Sequence, residues 1–150
     1  GEFKALGFAG HLSSNRLPQW AHSFRGTLLW PVRLRRLTSR YGWRGRSFHE
    51  GVDIGVPSNT KVRAAHRGRV VFAGRVRGYG NLVVVKGRGI MTVYAHNRRL
   101  VVRRGQHVKR GALLAFSGLT GKATGPHLHF ETRLFYPAIG YVAVNPLLLF

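Results

Sequence analysis

Short apolar segments alternate with glycine-containing turns from residue 62 to the C-terminal region. The segments are rich in β-branched and aromatic residues, and we predict strands at residues 62–65, 69–73, 81–86, 91–96, 100–103, 113–117 and 127–133. Turn signals such as Arg67-Gly68 and Gly87-Arg88-Gly89 separate them. No stretch of comparable length shows helical periodicity. The pattern therefore predicts an all-β fold, built as an antiparallel sandwich or open barrel.

The residues before this region are less regular. We predict that residues 1–26 form an irregular N-terminal extension that packs loosely or reaches over the domain, and residues 1–3 resemble an expression scar. Residues 28–32 are predicted as a short apolar strand, and residues 147–150 are expected to pack back on the core. The chain is thus divided into an extension, 1–26, and a domain, 27–150.

Charge is the strongest compositional feature. The chain has 25 Lys and Arg, 4 Asp and Glu, and a formal net charge of +21. This balance indicates a polyanionic partner, such as nucleic acid, an anionic membrane or an acidic wall polymer. Residues 33–46 combine many arginines with Tyr41 and Trp43. Such a segment is typical of a basic loop or edge strand facing a ligand, or of a nucleic-acid surface, and composition does not separate the two.

Cysteine is absent and acidic residues are scarce, and both facts limit the kinds of site that this chain can form. Without cysteine, disulfides and cysteine-based zinc sites are excluded. Three of the four acidic residues, Glu50, Asp53 and Glu131, lie in or beside histidine-containing motifs. No apolar run approaches the length of a transmembrane helix, so no membrane-spanning segment is predicted in this chain.

Two histidines stand two residues apart in His127-Leu128-His129. On a strand this spacing places both imidazoles on one face and Leu128 on the other. An earlier motif, His49-Glu50-Gly51-Val52-Asp53, superficially resembles the first half of the helical zinc motif HExxH, but its glycine and β-branched residues disfavour a helix. In an extended segment His49 and Asp53 share a face while Glu50 points away.

A histidine, an aspartate and a second histidine form a suitable three-ligand set for zinc, with the fourth position left to water. The alternative is that His49 and Asp53 form a local ion pair or loop hydrogen bond. His96 ends a predicted strand and is a candidate proton shuttle beside such a site, since imidazole titrates near neutral pH. His66 and His107 have no partner motif, and we interpret them as surface or structural residues.

The order and context of these motifs resemble those of the lysostaphin/LytM-type zinc endopeptidases. The similarity covers roughly residues 28–148 and is carried by three histidine motifs and several flanking segments. These are His49-Glu50-Gly51-Val52-Asp53, Tyr94-Ala95-His96, His127-Leu128-His129, Gly55-Val56-Pro57, Gly78-Tyr79-Gly80-Asn81 and Ser117-Gly118-Leu119-Thr120-Gly121. The resemblance implies a groove that holds one zinc ion per chain.

The resemblance also implies a role for each matching residue. His49, Asp53 and His129 would be the zinc ligands. His96 and His127 would be the non-ligand histidines that activate the water and stabilise the tetrahedral oxyanion, and the sequence leaves open which does which. Tyr41 would supply a further hydrogen bond to the oxyanion, as a tyrosine does in some members.

The function implied by the resemblance is hydrolysis of peptide cross-links in bacterial peptidoglycan, at a periplasmic or secreted location in the cell envelope. Peptide stems and anionic envelope polymers would be the partners, and specific nucleic-acid binding is not expected. A non-catalytic activator of another cell-wall hydrolase is the main alternative, and a polyanion binder is a third. In a latent form, residues 1–26 would occupy the cleft and offer Asn15, His11 or His22 to the zinc.

Overall fold

The computed structural model describes residues 2–150, and β-strands dominate it. The strands are β1 (Phe8–His11), β2 (Leu37–Ser39), β3 (Gly42–Arg44), β4 (Ser47–His49), β5 (Val52–Gly55), β6 (Lys61–Arg63), β7 (Gly68–Val76), β8 (Gly80–Lys86), β9 (Ile90–Leu100), β10 (His107–Val108), β11 (Leu113–Ser117), β12 (His127–Tyr136) and β13 (Gly140–Val144). Short 3-10 helices span Lys4–Leu6, Gln19–Phe24 and Pro146–Leu148. The predicted all-β class is confirmed.

Eleven of the strands form one mixed sheet, and β3 and β4 form a separate hairpin. The main path runs β1-β13-β12-β9-β8-β7-β10, while β5 bridges β12 and β2, and β11 bridges β9 and β6. The pairing of β1 with β13 is parallel, whereas β12 pairs antiparallel with β13, β9 and β5. The path starts at β1 and ends at β10, so within residues 2–150 the sheet is open and does not close into a barrel.

Strand β12 is buried on both faces, and successive side chains point alternately to one face and to the other. Leu128 and Phe130 point into the main core. There the ring centroid of Tyr94, on β9, lies 5.4 Å from that of Phe130. The opposite face carries His127, His129 and the two charged residues that follow at the same spacing. The strand therefore separates an apolar core from a polar layer.

The N-terminal segment packs on the second face of the sheet. Phe3 and Phe8 join the cluster built around Val84 and Val93, and the Phe3 ring lies 5.2 Å from that of Phe8. The C-terminal tail packs as predicted, with Leu149 fully buried. Within residues 2–150 the structure contains no helix with the length and apolar character that a membrane span requires.

Two of the predicted strands are wrong. Residues 28–32 make isolated backbone hydrogen bonds, Leu29 N to Ala65 O and Arg63 N to Pro31 O, without forming a ladder. Pro31 has no N–H to donate, which prevents continuous pairing at that point. Residues 100–103 are not a separate strand, because β9 continues to Leu100 and the chain then leaves the sheet.

Candidate metal centre

Asp53 on β5 lies at the centre of the histidine cluster. Antiparallel pairing of β5 with β12 sets Asp53 directly opposite His129, and His49 enters from the end of β4. Asp53 Oδ1 is 2.8 Å from His129 Nδ1 and 3.2 Å from His49 Nε2. Ligand atoms of these three residues all lie within 4.8 Å of one another. The structure thus brings the three predicted ligands together.

The remaining ring nitrogens of both ligand histidines have partners of their own. His49 Nδ1 is 2.8 Å from the carbonyl oxygen of Arg40, and His129 Nε2 is 2.8 Å from Glu131 Oε2. Because these oxygens accept hydrogen bonds, each nitrogen facing them carries a hydrogen. His49 Nε2 and His129 Nδ1 are therefore the nitrogens that would bind an ion, after losing any proton they hold. Two imidazole nitrogens and one carboxylate oxygen are a donor set that fits zinc.

Electrostatics at this point favour a cation. Burial disfavours a charge on Asp53, but hydrogen bonds from His129 and His49 outweigh it and hold the pKa of the carboxyl far below its usual range. Burial likewise disfavours a charged His129, yet hydrogen bonds to Asp53 and Glu131 raise its pKa to about 9. In the metal-free chain a proton on His129 therefore neutralises the ionised Asp53, and a metal ion that binds here would displace that proton.

His127 and His96 flank the ligand group. His127 Nε2 is 3.6 Å from Asp53 Oδ1, and the rings of His96 and His127 are 4.9 Å apart between centroids. Each Nδ1 atom faces a backbone carbonyl. His127 Nδ1 is 2.8 Å from Gly125 O, and His96 Nδ1 is 2.6 Å from Thr120 O. Both rings therefore direct their Nε2 lone pairs away from these carbonyls.

The backbone of His96 is strained. Its φ is +63°, in the left-handed region that a residue with a side chain occupies at a cost of about 1–3 kcal/mol. The strain is held by the contact with Thr120 and by donation from His96 N to the Tyr79 carbonyl at 2.9 Å. The pKa of His96 is lowered to about 4, mainly because the ring is buried. His96 is consequently a neutral imidazole at neutral pH.

Gly51 gives β12 room to approach the ligands. A Cβ at Gly51 would lie 2.5 Å from the carbonyl oxygen of Phe130 and 2.9 Å from Cε1 of His129. Such distances are too short for a side-chain atom, so a residue larger than glycine would push β12 and its histidine away from Asp53. The glycine between the two ligands of the motif is required by this close contact.

Gly51→Ala is therefore expected to destabilise the protein by about 1–3 kcal/mol, the usual effect of overpacking. Urea unfolding of the metal-free protein measures this loss. The matched control is Gly125→Ala, because a Cβ there meets no heavy atom within 4 Å. That variant should stay within about 0.5 kcal/mol of the wild type. Equal losses in the two variants would contradict the close contact at Gly51.

Tyr41 is not brought to the cluster. Its hydroxyl lies 2.6 Å from the carbonyl oxygen of Leu12 and 3.0 Å from that of Ala143, and it ties the N-terminal segment to β13. His11 is held by Glu50 at 3.1 Å and stacks on Phe48, so it does not join the ligand group. Asn15 and His22 are not among the residues that line the histidine cleft.

The histidines line a cleft of about 400 Å³. Hollows of about 680 and 710 Å³ elsewhere have no acidic side chain among the described residues of their walls, and a third, of about 620 Å³, has only the exposed Glu2. The histidine cleft also contains residues that sequence reasoning did not assign to the site. These are Arg44, Phe48, Glu50, Arg77, Gly78, Tyr79, Lys122, Thr124 and Glu131. Arg44 Nη2 is 3.0 Å from Asp53 Oδ2, so the basic segment 33–46 reaches the cleft at that residue.

Tyr79 and Glu131 are the most informative of these additions. The Tyr79 hydroxyl donates to Glu131 Oε2 at 2.9 Å, and its ring centroid is 6.0 Å from that of His129. In the sequence, Tyr79 is visible as part of a Gly-Tyr-Gly turn signal. Glu131 follows His129 at a two-residue interval, so strand alternation places it on the face of the histidines, although sequence reasoning gave it no role in the site.

Comparison with known proteins identifies the family. A family model described as peptidase family M23 matches residues 47–146. The chain is 36% identical over 121 residues to the DD-carboxypeptidase/endopeptidase Mpg of Neisseria meningitidis serogroup B, covering 76% of this chain and 28% of Mpg. It is 39% identical over 112 residues to the murein hydrolase activator EnvC of Escherichia coli K12, covering 73% and 26%. The chain thus spans about a quarter of the length of these relatives.

Solved structures agree with this assignment. A zinc-containing peptidase from Vibrio cholerae has a TM-score of 0.68 and 31% identity, covering 76% of this chain and 37% of that one. The antimicrobial peptidase lysostaphin from Staphylococcus simulans has a TM-score of 0.67 and 27% identity, covering 91% and 52%. The sequence match, the shared fold and the histidine cluster lead to one conclusion: the chain belongs to peptidase family M23.

Proposed function

We propose that this chain is a zinc-dependent endopeptidase that hydrolyses peptide cross-links of bacterial peptidoglycan. The observation that carries the proposal is the convergence of His49, Asp53 and His129 on one point, with two further histidines on the wall of the same cleft. Relatives whose names describe an endopeptidase and a murein hydrolase activator support the substrate class. The periplasm or the cell exterior is the proposed location, since peptidoglycan lies there.

In this proposal His49, Asp53 and His129 hold one zinc ion. When bound, zinc polarises a scissile carbonyl and lowers the pKa of water. His127 Nε2 accepts the proton of the attacking water. We assign stabilisation of the tetrahedral oxyanion to His96. Because its neutral ring carries the hydrogen on Nδ1, it donates from Nε2 only after taking up a proton as the oxyanion forms. Tyr41 receives no role, because its hydroxyl contacts backbone carbonyls outside the cleft.

The charge of the chain suits an anionic substrate. Arg44, Arg77 and Lys122 line the cleft, where they would attract the carboxylates of peptide stems. The four carboxylates of the chain are already paired, with Arg44, Arg104 and Arg133 as their arginine partners. The rest of the surface is therefore strongly cationic, which supports binding to anionic envelope polymers. We further propose that residues 27–150 form the metallopeptidase domain, since the four site histidines and Asp53 all lie within them.

Digestion of purified peptidoglycan tests the proposal. The zinc-loaded chain should contain one zinc per chain and release cross-linked muropeptides as monomers with new amino and carboxyl termini, detected by mass spectrometry. Chelation should stop the reaction, and zinc should restore it. A chain that binds no zinc would refute the proposal. A chain that binds zinc, leaves muropeptides uncut and stimulates a separate wall hydrolase would be an activator.

A further inference from the structure

A line of charged side chains continues inward from the metal ligand His129. Glu131 and Arg133 follow it at two-residue intervals on the same face of β12, and they are 1% and 2% exposed. Glu131 Oε2 faces His129 Nε2 at 2.8 Å, and Arg133 Nε donates to Glu131 Oε1 at 2.7 Å. The ligand is thus linked through one carboxylate to a buried guanidinium.

The guanidinium of Arg133 is in turn enclosed by the N-terminal strand. Arg133 Nη1 donates to Gly10 O at 3.2 Å, and its Cζ lies 4.1 Å from the centroid of the Phe8 ring. Arg133 Nη2 donates to Glu50 Oε1 at 2.8 Å, and Glu50 Oε2 is 3.1 Å from His11 Nδ1. Strand β1 therefore supplies an acceptor, an aromatic face and a histidine to the same network.

Stability alone is a poor explanation for this network. Two buried charges lose their hydration, and a well-packed apolar pair is often at least as stable in their place. The chain nevertheless has only four acidic residues and places Glu131 here, against a ring whose other nitrogen faces Asp53. A carboxylate that accepts from Nε2–H determines the tautomer of His129, orients the ring and raises the basicity of Nδ1.

We propose that Glu131 is a positioning residue for His129, held in place by Arg133 and by strand β1, and that this network strengthens metal binding. The inference rests on the proposed zinc site. It assigns to the N-terminal strand a supporting contribution to the metal centre, through Gly10, His11 and Phe8. It differs from the latent form considered from the sequence, in which this segment would block the cleft.

Zinc affinity measured by competition with a chromophoric chelator tests the proposal on the full chain. Glu131→Gln keeps the size of the side chain, but it removes the charge and turns an N–H towards either His129 or Arg133. We expect the zinc affinity to fall about 10- to 100-fold, the usual effect of removing such a partner. Cobalt substitution should show an altered visible spectrum, because the orientation of the His129 ring changes.

Thr92→Val is the matched control. Thr92 is fully buried on the opposite face of the sheet, where its hydroxyl is 2.8 Å from His66 Nε2 and 2.7 Å from the Tyr94 hydroxyl. The variant breaks buried hydrogen bonds without touching the metal centre, so its zinc affinity and cobalt spectrum should match the wild type. A similar loss of affinity in Thr92→Val would overturn the proposal, because general destabilisation would then explain both results.

A second variant covers the case in which Glu131→Gln does not fold. In Glu131→Gln with Arg133→Met, both buried charges are removed together, so we expect a folded protein that still binds zinc weakly. Wild-type affinity in either folded variant would overturn the positioning role while leaving the proposed function intact. Absence of zinc from the wild-type chain would overturn both.

Discussion

His129→Ala should lose zinc and hydrolysis together, whereas His127→Ala should retain zinc and lose hydrolysis. His129 Nδ1 faces Asp53 within the ligand group, and removing it leaves two donors, too few to hold zinc firmly. His127 lies outside that group, and its removal deletes proton transfer, which contributes roughly 100- to 10,000-fold to rate. Metal analysis and muropeptide digestion of the same preparations separate the two effects.

His107→Ala is the matched control for both histidine variants. His107 lies exposed on β10, away from the cleft, so zinc content and hydrolysis should equal those of the wild type. Loss of zinc from His127→Ala would place His127 among the ligands and contradict the assignment. Full zinc content in His129→Ala would contradict it as well.

Arg133→Met should destabilise the protein by about 3–5 kcal/mol, because it removes one partner of a buried ion pair. Glu131 would remain buried without its guanidinium, and the Gly10 carbonyl would lose its donor. Burial disfavours the charge of Arg133, but Glu131 and Glu50 outweigh it and raise the pKa of the guanidinium, so the charge persists at any ordinary pH. Urea unfolding of the metal-free chain measures the loss.

Arg104→Met is the control that separates the effect of burial from the effect of losing an ion pair. Arg104 pairs with Glu2, but both side chains are more than half exposed, and water and salt screen such a pair. Its substitution should change the unfolding free energy by less than about 1 kcal/mol. Similar losses at Arg104 and Arg133 would show that the buried network has no special contribution to stability.

The strands were predictable because they depend on local periodicity, and alternation along β12 places His127 and His129 on one face. His49 and Asp53 lie on different strands, β4 and β5, so their convergence depends on the turn between these strands rather than on alternation. The strand predicted at residues 28–32 failed because apolar content does not guarantee a pairing partner. The expectation for Tyr41 gave it a site role, yet its hydroxyl bonds to carbonyls of segments distant in sequence, Leu12 and Ala143.

The sequence by itself predicted the fold class, three candidate ligand residues and a likeness to zinc peptidases, since these follow from residue type and spacing. The tertiary structure decided which nitrogen of each histidine faces Asp53. That depends on the Arg40 carbonyl, from the segment after β2, and on the inward position of Glu131 on β12. It also brought Arg133 into contact with Glu131 and with Gly10 and Phe8 of strand β1, behind the histidine cluster. Contacts between distant segments form when the sheet assembles, and no local pattern encodes them.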